Sequence, residues 1–379
     1  MVKSPIPFNR PTRTGNELTL IHDVLANGHL AGDGHFTRQC SALLEEQLGT
    51  PKALLTTSCT HALEMCALLL DIAPGDEVIV PSFGFVTTVS AFVLRGAVPV
   101  FVDVRPDTLN IDEAQIQCRI SPRTKAIVTL HYAGIGCEMD AILPLAREQG
   151  IAVVEDNALG LFAKYKGRFL GTFGCLATQS FHETKNFVCG EGGALLINDD
   201  TLIERAEIIR EKGTNRARFF RGQVDKYTWV DLGSSYLPSD LLAAVLYAQL
   251  EQRSVIQRQR ERVWLRYNQS IADWAEGNAF TMPHIPDYCE QSFHMFFLRA
   301  PSLDVRQAFI THLETKGVQA VFHYLPLHLS EMGRRYGAQP GDCPITEDAS
   351  DRLVRLPLFT AMTDLEQATV IDAVTGFRS

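Results

Sequence analysis

The chain has 379 residues, of which 46% are hydrophobic and 21% are charged, and its formal net charge is −9. Because this length exceeds a single ordinary hydrophobic core, we expect one large domain and a smaller one. The acidic net charge argues against a nucleic-acid partner, since phosphate binding needs an excess of lysine and arginine.

The beginning of the chain and its cysteines favour a cytoplasmic protein. Residues 1–7 (MVKSPIP) contain no apolar signal core, and no apolar stretch approaches membrane-spanning length. The nine cysteines form no CxxC pair, and neither they nor the histidines have metal-site spacing. We therefore expect reduced thiols, no bound metal and no contact with a membrane.

Short apolar runs alternate with longer amphipathic segments from residue 53 onward. The runs lack polar alternation, which is typical of strands buried on both faces of a parallel sheet. The alternation predicts an α/β protein whose large domain contains a mostly parallel, doubly wound sheet. The predicted strands are residues 53–57, 77–81, 98–103, 126–130 and 152–156, and the predicted helices are residues 61–70, 86–94 and 140–148.

The pattern changes near residue 240. Ser239 can cap a long helix, in which apolar residues recur at helical spacing as far as Tyr267. After about Gly277, strands and helices are mixed. We predict a large domain over residues 1–240, with an N-terminal arm of about thirty residues that folds back onto the body or a partner. Residues 241–379 are predicted to form the long linking helix and a small α+β domain.

Three side chains in one order indicate a bound aldehyde cofactor. Asp156 ends an apolar strand, and Ser180 and Lys185 follow in the segment SFHETKN, shortly before Gly190. A carboxylate can pair with a protonated pyridine nitrogen, a hydroxyl can hold a phosphate, and an amine can form a Schiff base. Taken singly, each feature is more often structural, since a lysine near glycines is usually a solvated turn residue. Together they predict pyridoxal 5'-phosphate (PLP), with Lys185 and Asp156 as catalytic residues.

Ser58, Cys59 and Thr60 lie where the first strand ends and a helix begins. Backbone N–H groups and hydroxyls at such a helix N-terminus bind phosphate, although an ordinary helix cap is the better explanation when the motif is taken alone. We interpret Cys59 as a small filler and not as a nucleophile.

Aromatic and histidine residues supply the other candidates. Phe85 follows the second strand and is our choice for a ring that stacks on the cofactor, whereas Phe83 can equally be core. His182 has a packing role at least as readily as a catalytic one. The segment FHYLPLH, with His323 and His328, is suited to closing over a substrate.

The segments together resemble the DegT/StrS sugar aminotransferases, a family of fold-type-I PLP enzymes. The resemblance extends over nearly the whole chain and implies the fold-type-I architecture, PLP as cofactor and roles for Ser58, Cys59, Thr60, Phe85, Asp156, Ser180, Lys185 and Ser235 at its site. The segments that carry it are residues 32–36, 57–60, 74–82, 102–104, 131–134, 154–156, 180–186, 190–193 and 323–328.

Within the family, residues 210–216, 219–229 and 233–237 look most like those of enzymes that form dTDP-4-amino-4,6-dideoxygalactose. This resemblance implies L-glutamate as amino donor and a dTDP-4-keto-6-deoxyhexose as acceptor, aminated at C4. It also implies a homodimer with shared active sites, in which Ser235 reaches the phosphate held by the partner. Lys185 excludes the branch of dehydratases in which histidine replaces this lysine.

Three positions depart from the family pattern. Leu159 stands where the family usually has a glutamine that contacts the phenolic oxygen of the cofactor, and Asn157 replaces a small residue. Ser235 stands where many members have asparagine. Two other functions stay open: amination at C3 of the sugar, and a non-catalytic sensor with the PLP fold. The presence of Asp156, Ser180 and Lys185 together argues against the sensor.

Overall fold

A mixed seven-stranded sheet lies at the centre of the protein, whose computed structural model describes residues 5–378. Its strand order is β1–β9–β8–β5–β4–β2–β3, and β9 runs antiparallel to both of its neighbours. All other neighbouring pairs are parallel, as predicted. The strands of this half of the chain are β1 (Lys52–Thr56), β2 (Glu77–Pro81), β3 (Val98–Val102), β4 (Thr124–Leu130), β5 (Ala152–Asp156), β6 (Lys164–Tyr165), β7 (Arg168–Phe169), β8 (Leu176–Ser180) and β9 (Gly193–Ile197).

Helices cover both faces of this sheet, which explains why its strands lack polar alternation. Val78 and Val80 of β2 face α3 and α7, whereas Ile79 faces the side that α6 covers. Ala53 and Leu55 of β1 pack against α2 and α9 on that second side. The helices of this half are α1 (Glu17–Asn27), α2 (His35–Leu48), α3 (Cys59–Leu69), α4 (Thr87–Val93), α5 (Glu113–Ile116), α6 (Met139–Gln149), α7 (Ile203–Arg210), α8 (Arg216–Phe220) and α9 (Asp240–Glu251).

A smaller antiparallel sheet, of order β11–β13–β12, follows in the last third of the chain. It packs on α10 through aromatic residues that include Trp264, Tyr267 and Phe296. Among the described helices, none is long and apolar enough to span a membrane. The elements of this part are α10 (Arg253–Gly277), β10 (Cys289–Glu290), β11 (Phe296–Arg299), α11 (Leu303–Thr315), β12 (Val321–Phe322), α12 (Glu331–Arg335), α13 (Pro344–Arg352), β13 (Leu353–Leu356) and α14 (Asp364–Thr375).

The helix that begins after Ser239 differs from the sequence prediction in two ways. The side chain of Ser239 makes no capping hydrogen bond, and the helix is interrupted at Gln252, which separates α9 from α10. The neighbouring Asp240 has the capping role instead, but for another helix. Its buried carboxylate accepts hydrogen bonds from the backbone N–H groups of Phe36 (3.2 Å) and Thr37 (2.8 Å) at the start of α2. A carboxylate at a helix N-terminus satisfies free N–H groups, so Asp240 holds α2 and α9 together.

The N-terminal segment runs along the body of the protein. Ile6 exchanges backbone hydrogen bonds with Gly317 and Gln319, and the Phe8 N–H donates to the side-chain oxygen of Gln319 at 3.0 Å. The Asn9 amide donates to the backbone oxygen of Glu183 at 3.0 Å. These contacts bring Phe8 to the edge of a deep cavity above the central sheet.

Candidate active site

A cavity of about 600 Å³ opens at the carboxyl ends of β4, β5 and β8. Ligands of open parallel sheets bind at this edge, because the strand ends and the following loops leave a crevice there. The cavity brings together strand ends, the start of α3 and residues from the small sheet. Its lining includes Phe8, Ser58, Cys59, Thr60, Phe85, Asp156, Leu159, Ser180, His182, Lys185, Glu191, His294, His323, Tyr324 and Arg355.

Lys185 lies in the loop that follows β8. Its backbone N–H donates to His182 at 2.9 Å, and the Glu183 N–H donates to Gly190 at 3.0 Å, so the loop is closed on itself. Gly190 has φ of +92°, a left-handed conformation that favours glycine. Burial lowers the pKa of the Lys185 amine, and the Arg355 cation lowers it further, while Cys59 and Asp156 oppose the shift. A larger neutral fraction makes this amine a better nucleophile and base.

Asp156 is the last residue of β5 and faces the same cavity. Its carboxylate accepts a hydrogen bond from Thr88 Oγ1 at 2.6 Å and one from the Ala158 backbone N–H at 3.2 Å. Burial raises the pKa of this carboxyl, whereas both donors and the Lys185 charge act in the opposite direction. The donors fix the carboxylate in place and leave it able to accept from a cationic ligand group.

Glu155 points away from the cavity, as the strand alternation predicts. Its fully buried carboxylate accepts hydrogen bonds from the backbone N–H groups of Gly171, Phe173 and Gly174 at 2.6–2.7 Å. His131 Nε2 lies 2.9 Å from the same carboxylate, and because its Nδ1 accepts from the Cys137 N–H, Nε2 is the donor. Glu155 therefore organises the loop that follows β5 and does not reach a ligand.

The start of α3 has backbone hydrogen-bond donors without an acceptor among the described residues. Ser58 is the N-cap and accepts from the His61 N–H at 3.1 Å. The backbone N–H groups of Cys59 and Thr60 have no acceptor within residues 5–378. Burial raises the pKa of the Cys59 thiol, which agrees with a filler and not a nucleophile. Two unpaired N–H groups on the positive end of a helix dipole fit a phosphate.

The two phenylalanines that follow β2 lie in different surroundings. Phe83 is fully buried in the core, whereas Phe85 is 54% exposed and lines the cavity. Ser180, the last residue of β8, lines it as well.

Ser235 is not brought to the Lys185 cavity within the chain. It lines a second, larger cavity of about 980 Å³ between α2, α7 and α8, together with Arg210 and Phe220. We identify the smaller cavity as the candidate active site, because Lys185, Asp156 and the free N–H groups of α3 meet there.

Leu159 and Asn157, which differ from the family pattern, lie in different surroundings. Leu159 is 4% exposed and lines the cavity, and its backbone oxygen accepts from Ser292. Asn157 is fully buried and donates its amide to the Leu170 oxygen at 3.0 Å, so it is committed elsewhere.

The histidines singled out in the sequence also differ in whether they line the cavity. His182 and His323 line the cavity. His328 is fully buried, with Ser82 at 2.5 Å and Glu347 at 3.0 Å, so this residue of the segment FHYLPLH does not reach the cavity. Its two ring nitrogens are already used in fixing the loop after β12.

Sequence reasoning missed Thr88, His294, Arg355 and Phe8 as lining or supporting residues. Thr88 holds Asp156. His294 lies beside Lys185, and its Nδ1 is 3.0 Å from the Asn186 side-chain oxygen. Burial, with the Lys185 and Arg355 charges, lowers the pKa of His294 well below its ordinary value, which keeps this ring neutral. No local sequence signal marks these residues, because they come from distant segments of the chain.

The model of the DegT/DnrJ/EryC1/StrS aminotransferase family matches residues 11–375. The chain belongs to this family. An aminotransferase, TlmJ, of Streptoalloteichus hindustanus is 33% identical with a TM-score of 0.89, and 98% of each chain is covered. The PLP form of Spr1654, a protein of Streptococcus pneumoniae described as a sugar aminotransferase, is 27% identical with a TM-score of 0.90, again over 98% of both chains. An uncharacterised protein of Methanocaldococcus jannaschii is 32% identical over 98% of this chain and 97% of its own length.

Family membership establishes the class of reaction and the cofactor. The protein is a PLP-dependent aminotransferase that acts on a sugar, and its fold is that of the PLP aminotransferases, as the sequence predicted. When bound, PLP supplies an electron sink for the carbon that gains or loses the amino group. The cavity fits such a group, since it offers an amine, a buried carboxylate and two free N–H groups.

Proposed function

We propose that the protein transfers the amino group of L-glutamate to C4 of a dTDP-4-keto-6-deoxyhexose, which gives dTDP-4-amino-4,6-dideoxygalactose. The observation that carries this proposal is the clustering of residues 210–216, 219–229 and 233–237, which resemble those of this subgroup. Arg210, Arg216, Phe220 and Ser235 from these segments surround one large cavity. Residues of α2 and β1 line the same cavity, so parts of the chain that are far apart in sequence form one concave surface, as binding sites do.

The roles of the site residues follow from their positions. Lys185 Nζ would hold the cofactor covalently and would take up and return the proton at the substrate carbon. Asp156 would pair with the ring nitrogen of the cofactor, and the N–H groups of Cys59 and Thr60, with the hydroxyls of Ser58, Thr60 and Ser180, would hold its phosphate. Phe85 would supply the aromatic contact to the ring. No metal takes part in this scheme.

The partner in the functional unit is a second copy of the chain. Phe219, Phe220, Tyr227, Trp229, Val230 and Leu232 are all large, apolar and 37–75% exposed. A contiguous apolar surface of this kind marks an interaction site. In a dimer, the segment of residues 219–232 and Ser235 would reach the Lys185 cavity of the other subunit, as in the family that the chain resembles.

The proposed location is the cytoplasm. All nine cysteines are free thiols, and burial raises the pKa of the Cys40, Cys66 and Cys137 thiols in particular. Buried, unpaired and unreactive thiols are typical of proteins from a reducing compartment.

Incubation of the purified protein with L-glutamate and dTDP-4-keto-6-deoxyglucose, followed by NMR analysis of the product, tests the proposal. We expect an amino group at C4 with the galacto configuration, and no product from a Lys185→Ala variant. Amination at C3 would replace the proposal by the alternative regiochemistry. A protein that binds PLP but aminates neither carbon would favour the sensor.

A further inference from the structure

Arg355 is a half-buried cation without a carboxylate partner in the candidate active site. It lies on β13, the middle strand of the small sheet, opposite Phe297 of β11 and Val321 of β12. Its side chain lines the Lys185 cavity. Within residues 5–378, no carboxylate lies at ion-pair distance from its guanidinium, and its Nε–H is buried without an acceptor. A buried donor of a charged group is costly when it has no acceptor, so this guanidinium fits an anionic partner from outside the chain.

Neutral groups hold the guanidinium in a fixed orientation. Phe8 lies under it, with its ring centroid 4.7 Å from the guanidinium carbon. Nη1 is 3.5 Å from His323 Nε2, and His323 Nδ1 is 3.1 Å from the Tyr132 hydroxyl. Burial and the Arg355 charge lower the pKa of His323 well below its usual value, so the ring stays neutral and accepts from Nη1. These contacts leave the edge formed by Nε and Nη2 without an acceptor among the described residues.

The acids that line the cavity are already engaged. Glu191 lies 3.6 Å from His182. Asp156 accepts from Thr88 and Ala158, and its charge is opposed by Lys185. The anion that pairs with the Arg355 guanidinium must therefore belong to a ligand. A guanidinium edge with two parallel N–H groups matches a carboxylate in a bidentate arrangement.

We propose that Arg355 binds the α-carboxylate of the amino-acid donor through Nε and Nη2. The inference deepens the proposed function and rests on it, since it needs an α-amino acid as donor. The α-carboxylate is bonded to the same carbon from which Lys185 must remove a proton, so its receptor has to lie close to the Lys185 amine. Arg355 meets this requirement, because its side chain and that of Lys185 line the same cavity. The phosphates of a nucleotide sugar, by contrast, lie across the sugar ring from the carbon that reacts.

Separate assays of the two half-reactions of the holoenzyme distinguish a role of Arg355 in binding the donor carboxylate from a role in binding the phosphates of the nucleotide sugar. We expect Arg355→Gln to lower kcat/KM for the L-glutamate half-reaction by about 100-fold, since two charge-assisted hydrogen bonds are lost. 4-Aminobutyrate carries an amine and a carboxylate but lacks the α-carboxylate, so its half-reaction should change little. The keto-sugar half-reaction, started from the amine form of the cofactor, should also be preserved. Arg355→Lys should recover part of the loss, because lysine keeps the positive charge but lacks the two parallel N–H donors.

Calorimetric titration of the holoenzyme with glutarate adds a measurement that needs no turnover. Its affinity should fall in Arg355→Gln and stay unchanged in Arg299→Gln. Arg299 is the matched control, because it is a half-buried arginine of the same sheet that does not line the cavity. Unchanged glutarate affinity and an unchanged glutamate half-reaction in Arg355→Gln would overturn the proposal, as would a loss confined to the keto-sugar half-reaction. A wild-type enzyme that binds glutarate but does not react with L-glutamate would instead contradict the proposed donor.

Discussion

Asp156 is subject to opposing effects that together prepare it for a cationic ligand. Burial raises the pKa of its carboxyl, while Thr88, the Ala158 N–H and the Lys185 charge favour the ionised form. A buried carboxylate with a protonated pyridine nitrogen as partner gains a second favourable charge, and the pair is then mutually stabilised. The ionised state of Asp156 thus depends on both its neighbours and its ligand.

Substitution of Asp156 by asparagine should leave the cofactor bound but slow amino transfer by about 100-fold or more, because an amide cannot keep the ring nitrogen protonated. Thr88→Val, which removes only the 2.6 Å hydrogen bond, should lower the rate of amino transfer about tenfold. Single-turnover rates with L-glutamate provide the measurement. Near wild-type rates in Asp156→Asn would show that another residue pairs with the ring.

Leu159 gives a second prediction at the scale of single residues. Its side chain lines the cavity and has no donor, and Asn157 is committed to Leu170. Leu159→Gln introduces a donor toward the phenolic oxygen, and a hydrogen bond to a charged group contributes about 1.5–3 kcal/mol. We expect the spectral titration of the bound cofactor to shift downward by roughly one pH unit or more, with activity retained. A titration unchanged by the substitution would mean that the side chain at 159 does not face the cofactor.

At the scale of elements, the phosphate site depends on how closely β9 approaches the start of α3. Gly193 is the first residue of β9, and a Cβ there would overlap the Cys59 nitrogen and the Ser58 backbone. The free N–H groups of α3 are therefore positioned by a strand that pairs with both β1 and β8.

We accordingly predict that Gly193→Ala displaces α3 and weakens cofactor affinity by about 5-fold to 150-fold, since overpacking against backbone costs about 1–3 kcal/mol. Gly277→Ala is the control. Gly277 ends α10, has open space around its Cα and needs no left-handed backbone, so alanine there should be neutral or stabilise the protein slightly. Equilibrium dialysis for PLP and thermal unfolding measure the two effects. Equal PLP affinity in Gly193→Ala and wild type would contradict the prediction.

The comparison of sequence and structure is also clearest for elements. The five predicted strands are present within two residues of their expected starts, because each contains at least three consecutive apolar residues. β8 was not predicted, since its sequence LATQS is polar at three of its five positions and is buried nonetheless. Asp156 could be identified because it ends an apolar strand. Arg355 could not, because only the tertiary fold brings β13 to the end of β5.

At the scale of the whole molecule, the placement of Ser235 outside the Lys185 cavity agrees with a site shared between two subunits. Lys185→Ala and Ser235→Asp should each be inactive alone, the latter because a carboxylate repels the phosphate. After subunit exchange, an equal mixture should recover about a quarter of wild-type activity, because half of the dimers are hybrids and each has one intact site.

Ser234→Asp is the control for that experiment, since its exposed side chain borders Ser235 and should leave activity unchanged. Failure of the mixture to recover activity, once exchange is demonstrated with labelled subunits, would contradict a shared site. A fully active monomer in sedimentation experiments would contradict it independently.

The position of Phe8 has a consequence for how the specificity of such an enzyme can change over time. One wall of the cavity belongs to an N-terminal segment that is held by a few hydrogen bonds to the loop between α11 and β12 and to the Lys185 loop. Lys185 and Asp156 belong to the central sheet and its loops. A substitution at position 8 therefore changes the lining of the cavity and the support of Arg355, while Lys185 and Asp156 keep their places. Selection for a new substrate can act on this border while the two catalytic residues stay unchanged.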